Sequence, residues 1–199
     1  MTTAPSASPP VEPSRLLQLP TELLLMILGE FDYHGLQRVR RVCKAFDTLV
    51  KDPKFDRVLF RQGVEPLKPG QKIMLHPLLD LVDCMWVTAT RARLLYAYHD
   101  MRNVYDLSAC DEFATSPACA ELVLNVLPDT WPGQGDELVT SGAGLTVRDV
   151  LKAVAEYWDA GPGAGSVYME HCEHAFTGWH YPMVLEGGRV FLEACGFDH

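Results

Sequence analysis

Leu19-Pro20-Thr21-Glu22-Leu23-Leu24-Leu25-Met26-Ile27-Leu28 is the stretch on which the reading of this chain turns. A Leu-Pro step leads into a helix start. Thr21 is a candidate N-cap, and Glu22 places an acid in the first turn, where the helix dipole favours it. Apolar residues follow at 23, 24, 27, 28 and 31, a wide helical stripe. Asp32 is placed to cap a second helix. Leu36, Val39, Val42, Cys43 and Phe46 continue the apolar face, with Gln37, Arg38, Arg40, Arg41 and Lys44 on the other side. Asp52-Pro53 closes the run, because the residue before proline avoids helix.

The order and identity of these residues resemble the F-box, the short helical motif that plugs a substrate receptor into a cullin-type ubiquitin ligase. The matching residues are Leu19-Pro20-x-Glu22-Leu23-Leu24, then Ile27-Leu28-x-x-Phe31-Asp32, with Leu36 opening the next helix. Val39-x-x-Val42-Cys43-Lys44-x-Phe46-x-x-Leu49 and Asp52-Pro53 complete the set. Phe55 stands where a tryptophan is often found, and Tyr33-His34-Gly35 replaces a more usual proline-containing turn. The resemblance implies a docking role on a Skp-family adaptor for Leu19, Pro20, Leu23, Leu24, Ile27, Leu28, Phe31, Leu36, Val39 and Val42. These residues divide between the motif's own core and its docking face, and the sequence leaves the division open.

Working outward, residues 1–14 are rich in Pro, Ser and Ala and read as a disordered leader. Met1–Pro13 has neither the basic nor the apolar region of a secretory signal. Residues 15–62 form the helical motif. Gly63, Pro66, Pro69 and Gly70 make 63–71 a linker, which leaves 72–199 as a second, α+β domain. The expected fold class is therefore α+β, a three-helix F-box-like motif followed by a small α+β domain.

Within that second part, Pro77 demotes the run Ile73–Leu79 to an edge strand or an entry segment. Val104–Leu107 reads as a short strand. Leu122-Val123-Leu124-Asn125-Val126-Leu127 is the best strand, and Leu138-Val139-Thr140 pairs back on it. Thr146 and Asp149 form a capping box ahead of Val147, Val150, Leu151, Val154, Tyr157 and Trp158, and Gly161-Pro162-Gly163 stops that helix. Residues 166–186 look irregular, and Arg189-Val190-Phe191-Leu192 reads as a last strand. Ala114-Thr115-Ser116-Pro117, Gly144-Leu145-Thr146-Val147-Arg148-Asp149-Val150-Leu151 and Gly187-Gly188-Arg189-Val190-Phe191-Leu192 look like an uncharacterised α+β domain common in fungal proteins. That resemblance implies a fungal source and no known chemistry.

The bulk numbers set limits on function. The 199-residue chain is 48% apolar and 22% charged, near the globular norm. Its net charge of −9 is uneven: +2 over residues 1–62 (nine Lys/Arg, seven Asp/Glu) and −11 over 63–199 (eight against nineteen). An acidic second part argues against nucleic-acid binding, which needs clustered cations. Arg38, Arg40, Arg41 and Lys44 lie opposite an apolar stripe and read as a solvated helix face. No stretch reaches the roughly 18 apolar residues of a membrane span. The six cysteines are widely spaced with no C-x-x-C pair, which suits free thiols in cytosol or nucleus.

His171, Cys172 and His174, with His180, Cys195 and His199 nearby, are chemically able to ligate zinc. Their spacing matches no standard zinc pattern, so no metal or other cofactor is expected. A Cys–His pair is available in principle, but there is no Gly-x-Ser-x-Gly, no phosphate-cradling loop and no His-Glu-x-x-His. The chain is therefore expected not to be an enzyme. Aromatic residues in loops are candidate anchors for a target, and Trp131 and Trp179 sit in Gly/Pro/His-rich segments. No leucine-rich, WD or kelch period names the target.

The expected function is that of a substrate receptor in a cullin-type ligase. It has a Skp-family adaptor and, through it, a cullin as partners, and it recruits an unknown protein. A metal-dependent or cysteine enzyme in the second domain is one alternative. A ligase-independent scaffold is another.

Overall fold

The computed structural model describes residues 15–82, 87–92, 103–125, 136–159 and 178–195. The leader 1–14, Trp131, the 161–163 helix stop and the His171, Cys172 and His174 group lie outside the described residues, as do the side chains of Tyr157 and Trp158. The chain divides into two compact units, Met1–Phe55 and Asp56–His199.

The first unit is helical. A 3-10 turn over Arg15–Gln18 precedes α1 (Thr21–Leu28), α2 (Tyr33–Arg40) and α3 (Lys44–Leu49), and a further 3-10 turn covers Pro53–Phe55. The N-cap of α1 is Pro20 rather than Thr21, which is the first helical residue. Pro20 is extended, at φ −52° and ψ 144°, and its carbonyl accepts from the Leu23 and Leu24 N–H groups at 3.0 and 3.1 Å. Its ring offers no side-chain acceptor, so the cap is made by backbone alone. Asp32 caps α2 as the sequence predicts, its carboxylate accepting from the Gly35 N–H at 2.7 Å. Asp32→Ala should cost about 1 kcal/mol of stability, measured by chemical denaturation followed by circular dichroism. An unchanged midpoint would show that water caps the helix equally well.

In the second unit, a strand pair joins β1 (Met74–Leu75) to β2 (Thr115–Ser116). The main sheet runs β4 (Asp136–Thr140), β3 (Glu121–Asn125), β7 (Val190–Cys195), β5 (Gly178–Trp179), with β6 (Met183–Val184) also on β7. β3 and β7 are parallel, and the other pairs are antiparallel. Strand alternation sends Leu122, Leu124, Val190, Leu192 and Val184 into the core. On this inner side lies α5 (Val147–Asp159), whose Val147, Val150, Leu151 and Val154 are fully buried. The predicted capping box is formed: the Thr146 N–H donates to Asp149 Oδ2 at 3.0 Å, and the Asp149 N–H donates to Thr146 Oγ1 at 3.2 Å.

Three local readings change. Pro77 starts a short helix, α4 (Pro77–Leu81), instead of marking a strand. The ring of His76 accepts from the Leu78 N–H through Nδ1 at 3.0 Å, and a proline at the first helical position loses no hydrogen bond. Val104–Asp106 is a 3-10 turn, not a strand. Asn103 caps it, its Oδ1 accepting from the Tyr105 N–H at 3.3 Å, and the same side chain is held by the Ala92 N–H and the Thr90 carbonyl. The segment after 177 is regular rather than irregular, because β5 and β6 both pair with β7.

The breaker-rich segment 63–71 is fastened to the second unit. Val64 bridges Ala118, Leu67 is buried in the core, and the Gly70 N–H donates to the Val184 carbonyl at 3.2 Å. Residues 56–62 join the same unit. The Phe113 N–H donates to the Phe60 carbonyl, the Ala118 N–H to the Gln62 carbonyl and Ser116 Oγ to the Arg57 carbonyl. The compact division thus falls at 55/56, ahead of the glycines and prolines that suggest a boundary in sequence.

Candidate functional site

In α1, residues four apart share a face. Leu24 and Leu28 are buried, at 6% and 2% exposure. One position earlier in each turn, Leu23 and Ile27 are 45% and 43% exposed, and Met26 reaches 62%. The helix thus has one apolar stripe inside and a second outside. Leu16, Leu17, Leu19, Phe31 and Val42 add further exposed apolar surface to the same unit.

The ten docking candidates now separate. Leu24, Leu28 and Leu36 are buried and belong to the unit's interior. Leu19, Pro20, Leu23, Ile27, Phe31 and Val42 are exposed, and Val39 is half-buried. Leu16, Leu17 and Met26 are exposed residues that the sequence reading did not single out. Met26 lies three residues after Leu23, on the same side of the helix, so helical spacing could have found it.

Polar groups steady the rest of the unit. Arg40 donates to Asp47 Oδ1 at 3.2 Å and to Gln37 Oε1 at 3.1 Å. Lys51 Nζ stands 2.6 Å from Asp47 Oδ2. Hydrogen bonds from Lys51 and then Arg40 hold the Asp47 carboxyl below its ordinary range. Of the basic group, Arg38, Arg41 and Lys44 are exposed, while Arg40 is held in this corner. Lys54 Nζ donates to the Leu25 carbonyl at 3.2 Å, near the end of α1.

In the second unit Trp179 is not on an open loop. It lies in β5, is 8% exposed, and its indole N–H donates to the Leu79 carbonyl at 3.2 Å. Its ring is part of the core. His76 is fully buried. With Nδ1 accepting from Leu78, its Nε2–H faces Glu112 Oε2 at 3.0 Å, and the ring lies 4.6 Å from that of Phe60. Both ring nitrogens are thus engaged in holding structure. Burial pushes the Cys110 thiol up to about 11, with Arg148 opposing, and burial also raises the Cys119 thiol. A raised thiol is a poor source of thiolate, the nucleophilic and metal-binding form. Among the described residues no group of three His, Cys, Asp or Glu side chains is arranged to hold a metal ion. No helix among them is long and apolar enough to cross a membrane.

The first unit is thus a small helical unit with one apolar stripe buried and a second exposed. Residues 16–62 match the F-box-like family model, so the chain carries an F-box-like domain over that span. Domains of this family typically bind Skp-type adaptors and are typically non-enzymatic. No curated protein and no solved structure matches the chain.

Proposed function

We propose that the chain is a substrate receptor of a cullin-type ubiquitin ligase. Its F-box-like domain docks on a Skp-family adaptor, which links it to a cullin, and the second unit holds a protein target. The observation that supports this most is the outward stripe of Leu23, Met26 and Ile27 beside the buried Leu24 and Leu28. Exposed apolar surface of this kind costs solubility unless a partner covers it. Fully burying a Leu, Ile or Met side chain contributes about 1.5–3 kcal/mol, so a few such residues supply an anchor. The mechanism is proximity. A target lysine held near a charged conjugating enzyme reacts as though at high local concentration. The reading places the chain in cytosol or nucleus.

Co-expression with a Skp-family adaptor, followed by size-exclusion chromatography, tests it. A stoichiometric complex that is lost on deleting residues 15–55, which spares the second unit, is the expected result. Clean separation of the two proteins overturns the reading.

Gly35 gives a subtler test. A Cβ there would stand 2.8 Å from Phe31 Cδ1, 3.0 Å from Phe31 Cβ and 3.1 Å from Asp32 Oδ1. Gly35→Ala must therefore push Phe31, one of the exposed residues, out of place. The expected cost is about 1–3 kcal/mol of stability, with adaptor affinity about tenfold weaker by calorimetry. Unchanged affinity would remove Phe31 from the docking face.

A further inference from the structure

The last turn of α1 is tied down from outside the helix. Leu25, Met26, Ile27 and Leu28 present its final carbonyls, the groups that a helix end leaves without regular partners. The chain folds back on them. The Gly29 N–H donates to the Leu25 and Met26 carbonyls at 3.0 and 3.1 Å, and the Glu30 and Phe31 N–H groups donate to the Ile27 and Leu28 carbonyls, each at 3.2 Å. α1 has no basic residue in its own last turn. A cation arrives instead from Lys54, 29 residues further along the chain, whose Nζ donates to the Leu25 carbonyl at 3.2 Å. The helix dipole favours a positive charge there, and a lysine bonded to a last-turn carbonyl steadies that turn.

Two features fit Lys54 to this place. The base of its side chain is fixed. The Lys54 N–H donates to Asp52 Oδ1 at 2.9 Å, the Phe55 N–H donates to the Asp52 carbonyl at 3.0 Å, and the neighbouring Phe55 is buried at 2% exposure. Room for the ammonium group is left by Gly29. Its φ of −65° and ψ of −17° are ordinary helical values, so the backbone does not call for glycine. A Cβ at that position would stand 3.3 Å from Lys54 Nζ and 3.2 Å from the Met26 carbonyl oxygen. A side chain there would crowd the ammonium group.

The turn that Lys54 holds is the one that carries Met26 and Ile27, at 62% and 43% exposure, and Phe31 follows it at 40%. We infer that Lys54 is a positioning residue for adaptor docking: its ammonium group holds the last turn of α1, and with it these exposed side chains, in the geometry that the partner meets. The inference rests on the docking reading above and assigns Lys54 no contact with the partner. Lys54 is exposed, so its bond competes with water and its effect is a few-fold one, not an all-or-none one.

Lys54→Met removes the charge and the donor while keeping most of the side chain's length. In the free full chain, hydrogen exchange at the Gly29 amide is expected to quicken about threefold, and affinity for a Skp-family adaptor, read by calorimetry, to fall about threefold. Lys54→Arg keeps a cation and its donors and should restore both to within about twofold of the parent. A double-mutant cycle separates positioning from general loss of stability. Met26→Ala should weaken binding less in the Lys54→Met background than in the parent, whereas Leu19→Ala, ahead of the other end of α1, should cost the same in both. Additivity at both positions overturns the inference. Weaker binding with unchanged exchange at Gly29 also overturns it, because Lys54 would then be a direct contact of the partner. If the parent binds the adaptor and Lys54→Met binds it as tightly, only the role of Lys54 is wrong. If the parent chain does not bind the adaptor, the docking reading fails and this inference fails with it.

Discussion

Leu23→Asp is expected to abolish co-elution with a Skp-family adaptor while leaving the chain's unfolding midpoint nearly unchanged. Leu23 is 45% exposed, so a carboxylate there stays hydrated in the free protein. Exposed substitutions of this kind usually change stability by no more than about 0.5 kcal/mol. Buried against a partner's apolar surface the same carboxylate loses its water, which costs several kcal/mol, on the order of the whole affinity of a micromolar complex. Leu24→Asp is the control. Leu24 is 6% exposed, and an acid at that position should unfold the helical unit and lose binding for a different reason. The two variants differ by one position and should be separable by circular dichroism. Binding by Leu23→Asp equal to that of the parent would falsify the assignment of this face.

Trp179→Ala should cost about 3–5 kcal/mol of stability, a large part of what a domain of this size possesses. The indole is 8% exposed, sits in the core, and donates to the Leu79 carbonyl. Truncation leaves a cavity, and the carbonyl loses its partner. Trp179→Phe keeps most of the ring volume and should cost less, with about 1 kcal/mol of its effect from the lost hydrogen bond. Urea unfolding of the full chain measures both. If Trp179→Ala kept the parent's stability and instead lost only target binding, Trp179 would be a recruiting anchor and its burial here would have no energetic meaning.

The helices of the first unit are legible in sequence because their signals are local. A Leu-Pro step, an Asp cap and apolar residues three and four apart act within one or two turns of chain. The capping box at Thr146 and Asp149 is legible for the same reason, and so is the pairing of β4 with β3. Trp179 is misread because its neighbours in sequence are loop-forming residues, while its partner Leu79 is far away along the chain. The same limit applies to 63–71. Glycines and prolines there break regular structure, but they do not prevent the hydrogen bonds to Ala118 and Val184 that fasten the segment to the second unit.

The sequence by itself determined that a run of short helices resembling the F-box starts at the Leu19-Pro20 step, that the later part mixes strands with a helix capped at Thr146, and that the charge of that part is acidic. These are properties of composition, order and short-range periodicity. Tertiary structure alone decided which leucine of each adjacent pair is core and which is surface. Leu23 and Leu24 are chemically identical and differ only by about 100° of helix rotation, which has no meaning until other helices cover one side. It also decided that Leu138, Val123, Phe191 and Met183 share one row, because β3 and β7 are parallel neighbours drawn from distant parts of the chain. Register between distant strands is set by burying the opposite face of the sheet, and that burial exists only once the sheet has formed.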